Sequence, residues 1–381
     1  MKKLIKILKF ITPPILFHLI NFIHFKLPIV NFRKYWIKSK YQFLKSSFEN
    51  KDLVEATEMF VKSQSYKLVS NYWQSLNIKN YESILINGLD NYAHNIFTNY
   101  HTFLYFDNSL IDKSIENLNG VILDYKIDIF KKHKNLNYEQ SLNYNLVLLI
   151  LYENLKKTSS FDFINRLSNT GYLGFNDPYI EIDNVKLTHD KLNSLLDYEM
   201  INSIPLFKDK NNKKILEIGA GSGRTSEAIL TLNKNLNYVI CDIPIAIVIA
   251  FKRLKKVFPE KKISILYEIE NEEKLIENIM KNDISFIFPH QMKYFTNQIF
   301  DLTLAIDCLQ DINKKTVNEY FRYIDKFSDY FYYGIWKKTG FFKKYEFKPD
   351  NYIIPKNWNI AFKKNSSFPS NFWNICYKIK N

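Results

Sequence analysis

"ILEIGAGSGRT", residues 215–225, holds three of the chain's nine glycines at alternate positions, Gly219, Gly221 and Gly223. Glycine permits positive φ and lets a ligand approach the backbone closely. An apolar pair, Ile215–Leu216, precedes the cluster, and a helix-like stretch, "TSEAILTL", follows it. The order predicts a strand, a tight turn and a helix N-terminus, which together make a binding geometry. A dinucleotide fingerprint, G-x-G-x-x-G, does not fit. Counted from Gly219 the sixth position is Arg224, and counted from Gly221 it is Ser226.

Working outward, apolar runs alternate with helical patterns. "YVICDIP" reads as the next strand and "IAIVIAFKRLKKVF" as a helix, with Pro244 at its start and Pro259 just past its end. "ISFIFPH" and "FDLTLAIDCL" are further strands, "KTVNEYFRYIDKF" a helix, and "YFYYGIW" and "WNICYKIK" the last strands. Such alternation implies a doubly wound, mostly parallel sheet. Upstream, residues 51–205 read as mainly helical, from "KDLVEATEMFVKSQ" through "YNLVLLILYENLKK" to "LTHDKLNSLLDYEMINSI". "TGYLGFNDPYIEIDN", residues 170–184, is punctuated as a loop. The charge run "KDKNNKK" at 208–214 marks a boundary, so a third region covers 206–381.

The net charge of +14 is concentrated: residues 1–50 carry nine Lys, one Arg and one acid, leaving +5 for the other 331. A nucleic-acid enzyme would spread basic residues over its catalytic domain. Lys2, Lys3, Lys6 and Lys9 precede an apolar run, Phe10 to Phe25, that is interrupted by Pro13–Pro14. Those 16 residues are too few for the ~20 of a membrane-spanning helix. His18 and Asn21 lie opposite Ile15, Leu16, Leu19, Ile20 and Ile23. This is the pattern of a helix lying in a membrane interface, or of one packed on the protein's own core. A signal peptide fits less well, because no small-residue cleavage site follows. Cys241, Cys308 and Cys376 lack metal-ligand spacing and point to a reducing, cytoplasmic compartment.

With Glu217 inside the first strand, the turn reads E-x-G-x-G-x-G. This resembles motif I of the class I S-adenosylmethionine-dependent methyltransferases. "EIGAGSGRTSEAIL", "CDIPIAIVIAFKRLKKVFP", "FIFPHQM", "FDLTLAIDCLQDI", "PKNW" and "PSNFWNICYKI" further resemble, in order and spacing, bacterial sugar O-methyltransferases of lipopolysaccharide and capsule clusters. The resemblance implies a Rossmann-like domain with a seven-stranded, mostly parallel sheet. It implies S-adenosyl-L-methionine as cofactor, held by Glu217, Gly219, Ala220, Gly221, Gly223 and Arg224, and by Asp242 with Ile243 at the next strand end, Asp242 taking the ribose hydroxyls. His290 and Gln291 fall on the adenine side and Asp307 near the methionine part. Where that family carries Leu-His-Glu, this chain has "LQDI", without the histidine but with an acid, Asp311.

Methyl transfer to a hydroxyl needs alignment and an acceptor for the proton. Asp311 and His290 are the candidates. Asp311 also reads as a helix cap, and Asp242 as a cap ahead of Pro244; His290 also reads as a packing residue. Asp307 with Asp311 could also hold a divalent metal, but two carboxylates without a third ligand do not define a site, so no metal ligands are assigned. Arg224 would clamp an acidic group, and Trp336 and Tyr198 would line the acceptor pocket or pack the core. His94 and His101 share a helical face without a partner carboxylate. The expected function is methylation of a sugar hydroxyl on a surface glycan or its precursor. The expected location is the cytoplasm, with residues 1–30 on an anionic membrane face. An RNA or protein methyltransferase and a non-catalytic membrane-associated scaffold remain as alternatives.

Overall fold

The computed structural model describes residues 50–69, 77, 80–84, 88 and 89, and then 131–168, 178–336, 352–366 and 372–379 with short gaps. The basic arm, His94, His101 and the side chain of Trp336 lie outside the described residues.

Helix α1 (Lys51–Lys62) starts where Asn50 Oδ1 accepts from Leu53 N at 2.9 Å, an N-cap that satisfies a free amide. Its apolar face, Leu53, Ala56, Met59 and Phe60, is buried. Helices α2 (Tyr138–Lys157) and α3 (Phe161–Ser168) follow. Residues 170–184 do not remain a loop throughout: β1 (Ile180–Ile182) and β2 (Val185–Leu187) pair as an antiparallel hairpin. Asn184 takes positive φ at its turn, a conformation Asn tolerates. Helix α4 (His189–Asn202) is capped by Thr188.

The large sheet is built from β3 (Lys213–Ile218), β4 (Leu236–Cys241), β5 (Ile263–Ile265), β6 (Ile284–Ile287), β7 (Phe300–Ile306), β8 (Ser328–Trp336), β9 (Asn359–Ser366) and β10 (Phe372–Lys378). Its order is β5-β6-β4-β3-β7-β8-β10-β9. The first six run parallel, while β10 pairs antiparallel with both β8 and β9. Helices α5 (Arg224–Leu232), α6 (Pro244–Val257), α7 (Glu272–Met280) and α8 (Lys314–Phe327) connect them. The α/β, Rossmann-like class is as expected. The sheet has eight strands rather than seven, because the short edge strand β5 adds to one margin. Strand order reverses between β3's two neighbours, β4 and β7, and the carboxyl edge at such a switch point is where open α/β sheets bind ligands. One apolar core lies between this sheet and α1–α6, and a second lies beneath α7 and α8. No described helix is long and apolar enough to cross a membrane.

A buried ionic junction joins the upstream helices to the sheet domain. Arg253 on α6 is 2% exposed. Its Nε donates to Glu227 on α5 at 2.7 Å, and its Nη1 donates to Asp190 on α4 at 3.0 Å and to Ser222 Oγ in the glycine turn at 3.2 Å. Arg224 at the start of α5 donates to Asp197 Oδ2 at 2.8 Å and Ser194 Oγ at 3.2 Å, both on α4. Lys191 donates its Nζ to the Leu167 carbonyl at 3.1 Å, and burial brings its amine down to about 8. The upstream helices are thereby locked to the glycine turn by hydrogen-bonded charges, which are stable when buried only if paired.

Candidate active site

The glycine turn leaves β3 at Gly219 and enters α5 at Gly223, its N-cap residue. Gly219 has φ +74°, and a Cβ there would meet Cys308 Cβ at 2.5 Å. Gly221 has φ +59°, but nothing lies within 4 Å of where its Cβ would be. The first glycine is therefore demanded by protein packing. The second borders open space.

Asp242 closes β4 and is built into the same turn. Its Oδ2 accepts from Gly221 N at 2.8 Å and its Oδ1 from Ile243 N at 2.7 Å. Burial raises this carboxyl to about 7, the two amide hydrogen bonds opposing part of that rise. Asp242 therefore orders the turn, and each oxygen keeps a lone pair to accept a ligand hydroxyl.

A cleft of about 160 Å³ opens along the carboxyl ends of β3, β4 and β7. Its acids are Asp242, Asp307 and Asp311, and no described Lys, Arg or His lines it. Asp307 ends β7 in the left-handed region, φ +53°, its amide bonded to the Gly334 carbonyl at 2.9 Å and its Oδ1 accepting from Gln310 Nε2 at 2.6 Å. A non-glycine residue held there stores strain, a common feature of ligand sites. Cys308 Sγ donates to the Ile218 carbonyl at 3.1 Å, and burial raises its thiol, so it is not a ready thiolate. Asp311 follows in a short 3-10 turn, Leu309–Asp311. It does not cap α8: that cap is Asn313, whose Oδ1 accepts from Thr316 N at 2.9 Å.

The remaining wall comes from far upstream. Leu68 and Val69, just past α1, line the cleft. The Leu68 carbonyl accepts from Asn313 Nδ2 and Thr316 Oγ1, each at 3.1 Å. Nothing in the sequence connected residues 68–69 with the glycine turn.

Gly219, Gly221, Asp242, Ile243, Asp307 and Asp311 thus share one cleft, while Ala220 lies within the turn between its glycines. The other candidates stand elsewhere. Glu217 is buried beneath the turn, Oε2 accepting from Ser226 Oγ at 2.5 Å and Tyr238 OH at 2.9 Å. It braces β3 against α5 and β4. Arg224 is spent on Asp197 and Ser194 rather than on the cleft. His290 sits one turn beyond its strand, in the 3-10 segment Pro289–Tyr294. Its Nδ1 lies 3.0 Å from Ser65 Oγ, and its ring stacks on Phe288. Burial, aided by Lys293, lowers it to about 4, so it is neutral at physiological pH. Gln291 is fully buried, with Nε2 donating to the Leu266 and Tyr267 carbonyls and Oε1 accepting from Phe288 N. Tyr198 is buried edge-on to Phe163 and hydrogen-bonded to Asn233. Among the described residues no three His, Cys, Asp or Glu side chains converge as a metal site.

Neither a protein-family model nor a curated protein sequence matches the chain. Solved structures do. A Pyrococcus horikoshii protein is 12% identical with a TM-score of 0.36, over 49% of this chain and 91% of its own. The magnesium protoporphyrin IX methyltransferase of Synechocystis, with bound S-adenosylhomocysteine, is 12% identical with a TM-score of 0.35, over 60% of this chain and 99% of its own. TehB of Haemophilus influenzae is 13% identical with a TM-score of 0.33, over 49% of this chain and 62% of its own. At such scores the reading of this chain rests on its own strand order and cleft.

Proposed function

We propose that the chain is an S-adenosylmethionine-dependent methyltransferase whose acceptor is a sugar hydroxyl of a surface glycan or its precursor. One observation carries the cofactor: the cleft presents three carboxylates and no described base beside a glycine turn. A pyrophosphate dinucleotide would face this row of acids there. S-adenosylmethionine brings a sulfonium, an ammonium and a ribose diol, and it suits the same surface. The open space at Gly221 admits it against the backbone.

When bound, this cofactor supplies an activated methyl group on a good leaving group. The chain's own residues do the rest. Asp242 accepts ribose hydroxyls while holding the turn. Asp307, fixed by Gln310, attracts the ammonium. Asp311 takes the proton of the attacking hydroxyl. His290, already paired with Ser65, is less suited to that task. The resemblance of "FIFPHQM", "FDLTLAIDCLQDI" and "PSNFWNICYKI" to sugar O-methyltransferases supports the acceptor class. Residues 1–30, with their four leading lysines, would keep the enzyme on an anionic membrane where glycan precursors are made.

The test offers labelled S-adenosylmethionine with separate panels of nucleotide sugars, extracted glycans, RNA and protein. Label on sugar supports the full reading. Label only on RNA or protein overturns the acceptor, and a protein that binds no cofactor overturns both parts.

A further inference from the structure

Tyr320 stands on α8 with its ring packed in the core beneath that helix and 5% of its surface exposed. It is also one of the residues lining the cleft. No described residue hydrogen-bonds its hydroxyl, and the oxygen is not among the fully enclosed ones. The hydroxyl therefore opens on the cleft, where a ligand can take the hydrogen bond that no described side chain makes. Its neighbour Tyr323 shows the ordinary arrangement, its hydroxyl donating to Glu319 at 2.9 Å. The same cleft is lined by the apolar Ile243, Ile312, Leu68 and Val69. A nucleoside inserted among these side chains can take a hydrogen bond from this phenol, which both donates and accepts.

We infer that Tyr320 contacts the cofactor, its hydroxyl hydrogen-bonding the nucleoside that enters this cleft. The inference rests on the methyltransferase reading above. It adds a residue that neither the glycine turn nor the strand-end acids would have suggested. Burial holds the phenol well above its ordinary value, so the oxygen keeps its proton throughout the physiological range.

The test is calorimetric binding of S-adenosylhomocysteine and of 5′-methylthioadenosine to the full chain. The latter keeps the nucleoside and lacks the amino acid. Tyr320→Phe removes one oxygen and leaves the ring in place. Affinity for both ligands should fall by roughly three- to tenfold, the worth of one hydrogen bond. The melting temperature without ligand should hold, since no hydrogen bond to a described residue is lost. Tyr323→Phe should leave both affinities unchanged. Equal affinity in wild type and Tyr320→Phe overturns the contact. A loss confined to S-adenosylhomocysteine moves the hydroxyl to the amino-acid end and overturns the assignment to the nucleoside. Failure of the wild-type chain to bind either ligand overturns the methyltransferase reading itself, and the wild-type titration alone shows it.

Discussion

Gly219 and Gly221 share positive φ but differ in what a methyl group would meet, which separates packing from binding. Gly219→Ala drives its Cβ to 2.5 Å from Cys308 Cβ, and the chain should lose both melting temperature and ligand affinity. Gly221→Ala enters open space. It should cost only about 1 kcal/mol of backbone strain while abolishing S-adenosylhomocysteine binding, seen as a melting shift that ligand no longer provides. Asp242 carries a pH signature. Its carboxyl sits at about 7, and ligand hydroxyls bind best to the ionised form. Affinity should fall up to tenfold per unit below about pH 7, with proton release to buffer on binding that vanishes above about pH 8. For the free protein the sign reverses. An acid raised above its unfolded value favours the fold below about pH 4, and that benefit is lost as pH climbs to about 7. Asp242→Asn must turn an NH2 toward Gly221 N or Ile243 N, so it should weaken both the turn and the ligand. Asp311→Asn should cut kcat at least about a hundredfold with melting unchanged, because the helix cap belongs to Asn313. Retention of more than about half the turnover would remove Asp311 as the base.

Among the elements, the buried junction is the sensitive one. Arg253→Met leaves Glu227 and Asp190 buried without their cation and should cost about 3–5 kcal/mol in urea denaturation. Lys281→Met, which breaks an exposed pair with Glu277 on α7, should leave the urea midpoint nearly unchanged. The sequence disclosed the strand–turn–helix units because each carries a local signal: β3 ends in glycines, and α6 begins at Pro244. Strand β5 escaped because three residues at a sheet edge give too little alternation to register. Strand β9 escaped because its surface is polar and exposed, as at Lys363 and Lys364. The junction was illegible for another reason. Asp190 and Arg253 are 63 positions apart, and a charge says nothing in sequence about whether it will be buried. Arg224 likewise looked like a ligand clamp until α4 brought Asp197 to it. His290 and Gln291 do not line the cleft, although their neighbour Pro289 does. A 3-10 turn after β6 aims them at backbone carbonyls and at Ser65.

Across the whole molecule, the upstream chain is part of the cleft rather than an appendage. Two truncations separate its contributions. Removing residues 1–30 should move the protein from membrane to soluble fractions and leave S-adenosylhomocysteine affinity intact. Removing residues 1–70 also takes Leu68 and Val69 from the cleft and Ser65 from His290. Affinity should then fall even if the sheet persists by circular dichroism; unchanged affinity would mean the wall plays no part in binding.

The bonds that fix that wall span very long stretches of chain: 245 residues from Leu68 to Asn313, 248 to Thr316 and 225 between Ser65 and His290. Closing loops of this length is slow, because entropy must be lost before such distant contacts repay it. The parallel strands and their crossover helices can assemble from nearer neighbours. In refolding, the circular dichroism signal should therefore recover first, and the ability to capture a nucleoside should arrive in a later phase, when Leu68, just past the first described helix, comes to rest against the start of the last.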